Sequence, residues 1–281
     1  MTISGAAKLA GVAGWPIGHS LSPALHGYWI AEHGLDAAYV PLAIAPEGFA
    51  DAFKALPKLG FRGLNVTLPH KEEAFRLVDM RDEAAEATGA VNTVVFEAGR
   101  AIGRNTDVFG FAESLREAGV ASLASADVVV LGAGGAARGV IAALFSLGAR
   151  HVRLVNRTAD KAQGVAAHFG ARVSVHGWDA LPGLLTTAGL LVNTTSLGMV
   201  GQLPLKIDLK PMRQGLVADI VYRPLQTPLL AQAHAQGLKT VDGLGMLLHQ
   251  ARPGFAAWFG VEPKVTSGLR AHLISILERW R

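Results

Sequence analysis

The sequence predicts an α/β fold of two domains, each a mainly parallel sheet covered by helices. Three observations predict it. Short apolar, β-branched runs alternate with amphipathic helical runs along most of the chain, the pattern of strands joined by helical crossovers. At 281 residues the chain exceeds the usual size of one domain and is long enough for two cores. A glycine-rich turn, GAGGAARG, opens in mid-chain at Gly132 with a stretch of comparable length in front of it.

In the first half, residues 8–14 (KLAGVAG), 37–44 (AAYVPLAI), 63–68 (GLNVTL) and the run 92–105 (NTVVFEAGRAIGRN) read as strand. Residues 22–35, 46–60 and 71–80 read as helices, with apolar residues every third or fourth place and stops at Gly34 and Gly60. Residues 109–119 form a connecting helix. A second α/β block then follows, with strands in 126–134, 151–158, 171–177, 189–196, 214–222 and 238–243. The tail, 243–260 and 265–280, returns to helix with no strand after it and is expected to pack back on the first domain. Pro253 and Gly254 are expected to kink or stop the first of these helices. The domains are expected at 1–107 plus 243–281, and at 108–242.

Half of the residues are hydrophobic and 17% are charged, which excludes a disordered or fibrous chain. Lys and Arg exceed Asp and Glu for a net charge of +4, but the cations are scattered. No basic run or stripe is present to track a nucleic-acid backbone, so the excess is read as mild attraction for small anions. Apolar runs break well short of the roughly 18–20 residues of a membrane span. The first residues lack a charged start followed by an apolar block, so a cytoplasmic location is expected. The sequence has no cysteine, which removes thiol catalysis, disulfides and thiolate metal sites. Its ten histidines show no paired ligand spacing backed by carboxylates, so no metal site is expected.

Gly132, Gly134 and Ala137 fit G-x-G-x-x-G/A: the first glycine permits the tight turn, the second lets a pyrophosphate approach the backbone, and the small third residue lets helix and strand pack closely. An apolar strand before it and a helix ending near Gly148 after it give the context of a Rossmann-type dinucleotide-binding domain. An NAD site normally places an acid at the end of the next strand to bind the ribose 2′-hydroxyl; Asn156, Arg157 and Thr158 stand there instead. A guanidinium makes paired bonds to phosphate oxygens, so NADP is the expected cofactor. The plainer alternative is that Thr158 caps the next helix and Arg157 is a solvated charge.

Three segments in front carry polar residues beyond what local rules require. Ser22 before Pro23 is a natural N-cap, but Ser20 is not needed for a cap, and two hydroxyls at a helix start can cradle a carboxylate. Asn65 and Thr67 point the same way along an extended segment, and Lys71 follows in the first helical turn. A cation there opposes the helix dipole, and the positive end nearby favours the neutral amine, which suits a lysine that exchanges protons. Its alternative is to snorkel to water beside Glu72 and Glu73. Asp107 lies where strand gives way to helix, a usual N-cap place that also falls at the junction of the two domains. Asn92 is a polar residue on an apolar strand.

Together these segments resemble the shikimate dehydrogenase family. PIGHSLSPALH (16–26), NVTLPHKE (65–72), TGAVNT (88–93), RNTDVFGF (104–111), GAGGAARGV (132–140), NRT (156–158), NTTSLGM (193–199), VYRPLQTPLL (221–230) and DGLGMLLHQA (242–251) look like that family's motifs, in the same order over nearly the whole chain. The resemblance implies reversible, NADP-dependent reduction of 3-dehydroshikimate to shikimate in chorismate and aromatic amino acid biosynthesis. It implies that Ser20 and Ser22 hold the substrate carboxylate, that Thr67, Asn92, Asp107 and Gln250 bind ring hydroxyls, and that Asn65 and Tyr222 complete the pocket wall. Lys71 and Asp107 would be the catalytic pair. The cofactor would lie on Gly132, Ala133, Gly134, Gly135 and Ala136 and on Asn156, Arg157, Thr158 and Lys161, with backbone contacts near Ile220 and Gly243 and a weaker one at Glu83. Ile220 stands where members often have Met. The small-molecule substrate is the expected partner, as monomer or homodimer. Rival readings are a quinate dehydrogenase using NAD, a methyltransferase, which leaves Lys71, Asp107 and the serine pair without a task, and a non-catalytic nucleotide sensor.

Overall fold

The structure, a computed structural model, describes residues 3–279. It divides into two compact units: one extends to Thr106 and takes up the chain again from Leu248, and the other is Asp107–Leu247.

The first unit is built on β1 (Lys8–Gly14), α1 (Ser22–Glu32), β2 (Ala37–Ala43), α2 (Phe49–Ala55), β3 (Phe61–Val66), α3 (Lys71–Leu77), β4 (Met80–Arg81), α4 (Glu83–Thr88), β5 (Thr93–Glu97) and β6 (Arg100–Arg104). Its six strands lie in the order β2-β1-β3-β5-β6-β4. β1 pairs in parallel with both β2 and β3, whereas β3–β5 and β5–β6 are antiparallel. The run 92–105 is therefore a hairpin rather than one extended piece. Its turn is Ala98 and Gly99, both at positive φ (48° and 74°), the two-residue geometry whose twist matches the strands it joins. Phe49, Phe53, Leu64, Val66 and Val94 form the heart of one core.

Thr106–Glu117 is α5, followed by β7 (Val128–Leu131), α6 (Ala137–Ser146), β8 (Val152–Val155), α7 (Ala159–Phe169), β9 (Val173–His176), α8 (Leu181–Leu185), β10 (Leu190–Asn193), β11 (Leu216–Asp219), α9 (Pro228–Ala235) and β12 (Lys239–Val241). The strands of this second unit are all parallel, in the order β12-β11-β10-β7-β8-β9. This is the doubly wound arrangement, with its switch point between β7 and β10. β7, β10 and β11 are buried at every position because helices cover both faces. Alternate residues serve the two faces: Val128 and Val130 pack in one core, and Val129 and Leu131 in the other.

The tail comprises α10 (Gly243–Phe259) and α11 (Ser267–Arg279). Contrary to the expectation from Pro253, α10 continues through it to Phe259. The proline removes one backbone donor, but packing outweighs that loss: Phe255, Trp258 and Phe259, all beyond it, are buried in the first unit. The Trp258 indole donates to the carbonyl of Val94 at 2.9 Å and passes so close to Gly63 that a Cβ there would lie 2.2 Å from its nitrogen. α11 buries Leu269, Leu273 and Leu277, one helical stripe. No helix among the described residues is long and apolar enough to cross a membrane.

Candidate active site

In the first unit the polar residues gather where β1 and β3 end. Trp15 donates its backbone N–H to Leu68 O at 3.0 Å, and Thr67 N–H donates to Ala13 O at 2.9 Å, tying the two strand exits together. Gly14 permits this: a Cβ there would stand 2.5 Å from the Thr67 methyl. Ser22 is the first residue of α1 rather than its N-cap, which is Leu21 and makes no side-chain cap bond. Ser20 does the capping work instead, its Oγ accepting from Ser22 N–H at 3.3 Å. The helix begins one residue earlier than the Ser-Pro pair suggests, so Ser22 Oγ is not used as a cap. No acidic residue occupies that first turn, which leaves it suited to an anion.

Lys71, half-buried, opens α3. The preceding turn is fixed by His70, whose Nε2 lies 2.7 Å from Ile44 O and whose ring stacks on Phe49 at 4.3 Å. Glu73 is engaged by Arg76 at 2.5 Å. The carbonyl of Lys71 accepts from Val91 N–H at 3.0 Å, so Asn92 follows directly on a residue bonded to Lys71, just ahead of β5. Asn92 is buried and accepts from Thr106 N–H at 2.8 Å. Asn65 accepts from the Tyr39 hydroxyl at 2.6 Å and donates to Asn92 O and Thr93 Oγ1. Gln250 is half-buried on α10. Glu83 is exposed at the start of α4, whose cap is Asp82 accepting from Ala85 N–H at 2.7 Å.

Sequence reasoning missed the aromatic floor beneath these groups. His26 is fully buried on α1, its ring parallel to Tyr39 at 3.9 Å and flanked by Trp29, Phe255 and Trp258. Neither ring nitrogen meets a hydrogen-bond partner at normal geometry. Burial drives its pKa down to about 3, the nearby Asn65 side chain opposing this only in part. Burial likewise holds the Tyr39 phenol well above its ordinary value, against the pull of the Ser22 side chain. A histidine on the apolar face of a helical run, one place after Leu25, was the available signal.

In the second unit, Gly132 takes φ +96° directly after β7, and a Cβ there would lie 2.6 Å from the Thr195 methyl. Gly134 is different: it is exposed and a Cβ would meet nothing in the protein. Space above that backbone, with Ala133, Gly135 and Ala136 beside it at the start of α6, is what a pyrophosphate needs. Asn156 braces the turn, accepting from Ala133 N–H at 3.2 Å and donating to Thr158 O at 2.7 Å. Thr158 stands at the N-cap of α7 but its side chain makes no cap bond, so the plain capping role is not used. Arg157, Thr158 and Lys161 are all exposed there, two cations and a hydroxyl that fit a 2′-phosphate.

Across the switch point, Thr194 Oγ1 donates to Leu131 O at 2.8 Å, joining the loop after β10 to the glycine turn. Asp219, buried, accepts from Asn193 Nδ2 at 3.0 Å, Val221 N–H at 3.0 Å and Thr227 Oγ1 at 2.7 Å. Burial raises its pKa, with those bonds opposing the rise. Ile220 and Gly243 do come together: a Cβ on Gly243 would lie 2.2 Å from Ile220 O. Tyr222 is half-buried, its phenol pushed up by burial and eased by Arg223. Asp107 is the second residue of α5, not its N-cap, because the helix already starts at Thr106; it is buried. Among the described residues no cluster of three metal-ligating side chains occurs.

A doubly wound sheet with an open glycine turn at its switch point, together with a first unit that assembles hydroxyls, amides and a lysine, defines a dinucleotide-dependent oxidoreductase. The models of the shikimate dehydrogenase substrate binding domain and of shikimate / quinate 5-dehydrogenase match residues 12–94 and 114–200. The shikimate dehydrogenase (NADP(+)) of Rhodospirillum rubrum is 55% identical over 279 residues, 97% of this chain and 99% of that one. The crystal structure of the Thermus thermophilus shikimate 5-dehydrogenase, in complex with NADP(H) and shikimate, superposes with a TM-score of 0.83 at 36% identity, covering 97% of this chain and 99% of that one. Quinate dehydrogenase from Corynebacterium glutamicum, in complex with NAD, gives 0.87 at 32%, covering 96% and 99%. The chain belongs to the shikimate dehydrogenase family.

Proposed function

We propose that this chain catalyses the reversible, NADP-dependent reduction of 3-dehydroshikimate to shikimate, in the cytoplasm and on the route to chorismate and the aromatic amino acids. The observation that carries the reading is the set of side chains at the exits of β1 and β3: Ser20 and Ser22 for a carboxylate, Thr67 and Asn92 for ring hydroxyls, and Lys71 beside them. Asp107, Tyr222 and Gln250 are assigned to the same substrate. Ala133, Gly134 and their neighbours fit the pyrophosphate, and Arg157, Thr158 and Lys161 the 2′-phosphate. NADPH held there would supply the hydride. Lys71 as the ammonium gives its proton to the carbonyl oxygen, which would otherwise become an alkoxide, and in reverse the neutral amine takes the hydroxyl proton back. Asp107 is assigned to orient the reacting group. The exposed cations after β8, with no acid in the place an NAD site uses, support NADP over NAD.

The test is the initial rate of nicotinamide reduction with shikimate and quinate each offered NADP and NAD. Turnover chiefly with shikimate and NADP is expected. A dominant quinate or NAD signal would move the chain to the quinate branch, and no turnover in any of the four would revive a nucleotide sensor.

A further inference from the structure

The structure assigns Thr93 as a positioning residue: its buried hydroxyl holds the Asn92 amide in the one orientation that offers N–H donors to a substrate hydroxyl. This rests on the reading of Asn92 as a substrate-binding residue.

The orientation of Asn92 is decided by its surroundings. Its side-chain oxygen faces the backbone N–H of Thr106 at 2.8 Å, a group that can only donate, so that atom is the oxygen. Two hydroxyls close on the same oxygen, Thr106 Oγ1 at 3.1 Å and Thr93 Oγ1 at 3.2 Å. Thr93 and Thr106 also touch each other at 3.1 Å. With its oxygen surrounded by donors, the amide cannot rotate by half a turn without setting N–H against N–H. Its donor edge therefore keeps one direction.

Thr93 is itself held from the other side. Asn65 Nδ2 donates to Thr93 Oγ1 at 3.0 Å, and also to the carbonyl of Asn92 at 3.2 Å. Both amide hydrogens of Asn65 are thereby used inside the protein, and its oxygen accepts from Tyr39 at 2.6 Å. Since Thr93 Oγ1 accepts from Asn65, its single hydrogen is directed to the Asn92–Thr106 side. Asn65 thus acts through Thr93 and Asn92 more than as a donor to ligand. All of Thr93 is buried, so the hydroxyl does not touch bulk water, and a buried polar chain of this kind fixes geometry when every member is satisfied.

The experiment compares Thr93→Val, Thr93→Ser, Tyr39→Phe and Asn92→Ala in the full chain, measuring KM for shikimate, kcat, the dissociation constant for NADP and thermal melting. Thr93→Val is expected to raise KM for shikimate about tenfold with NADP affinity unchanged, and Thr93→Ser, which restores the hydroxyl, to return it close to the parent value. A general loss of structure would move both ligands together and would not be rescued by serine. If Asn92→Ala raises KM and Thr93→Val does not, the positioning role is overturned while the reading of Asn92 stands. If Asn92→Ala leaves KM untouched, that reading fails and the inference fails with it. Should the valine variant not fold, Tyr39→Phe carries the test, with a smaller rise in KM for shikimate expected and none at all contradicting the chain.

Discussion

In the first unit, polar side chains are linked to one another in a run: Tyr39 to Asn65, Asn65 to Thr93, Thr93 to Asn92, Thr106 to Asn92. In the second, the polar side chains around the glycine turn and the loops beside it reach for main chain. Thr194 holds the carbonyls of Leu131 and Gly132, Asp219 holds Val221 N–H, and Asn156 spans Ala133 N–H and Thr158 O. The difference follows from what each unit must meet. A small polyol acid is told from its relatives by the direction of a few donors and acceptors, which side chains supply. A dinucleotide pyrophosphate is met by backbone N–H groups, and side chains there serve to hold the loops.

The largest effect that would sharpen this comparison is expected at Lys71. Lys71→Ala should lower kcat by about 10²–10⁴-fold, the range of a lost general acid, with NADP affinity kept; stopped-flow rates and a fluorescence titration of NADPH measure both. Full activity in that variant would sink the proton-transfer role. Next is Gly132→Ala. Its positive φ costs a side chain about 1–2 kcal/mol, and contact with Thr195 adds to that, so melting should fall and NADP binding weaken by at least about tenfold. Shikimate binding should be unaffected, which would break if both ligands suffered equally.

The smallest effect concerns acid stability. Folded His26 resists protonation, with a pKa of about 3 against 6.5 ordinarily, so between those values the unfolded chain binds the extra proton. Its contribution is fully present above pH 6.5 and is lost as pH falls, at up to about 1.4 kcal/mol per pH unit. His26→Phe should flatten that part of the curve in denaturant melts; an unchanged slope would mean that the ring protonates without unfolding the floor.

The glycine turn, the parallel second sheet and the polar positions Ser20, Ser22, Asn65, Lys71, Asn92 and Asp107 were legible because each lies in a short, locally patterned run. The chain from Tyr39 through Asn65 and Thr93 to Thr106 was not. Its bonds join residues 13 to 28 positions apart, and Thr93 alone looks like any threonine in a strand. The continuation of α10 through Pro253 was hidden for the same reason, since it depends on where Trp258 and Phe255 pack. The caps were misplaced, by one residue at Ser22 and by two at Asp107, shifts that local rules do not resolve.

The division of labour between the units is tested most directly by calorimetric titration of shikimate and of NADP into Asn92→Ala and Arg157→Ala. The account predicts a crossed result: Asn92→Ala loses shikimate affinity and keeps NADP, while Arg157→Ala keeps shikimate and loses NADP by about 10–100-fold. Equal weakening of both ligands by either variant would contradict it.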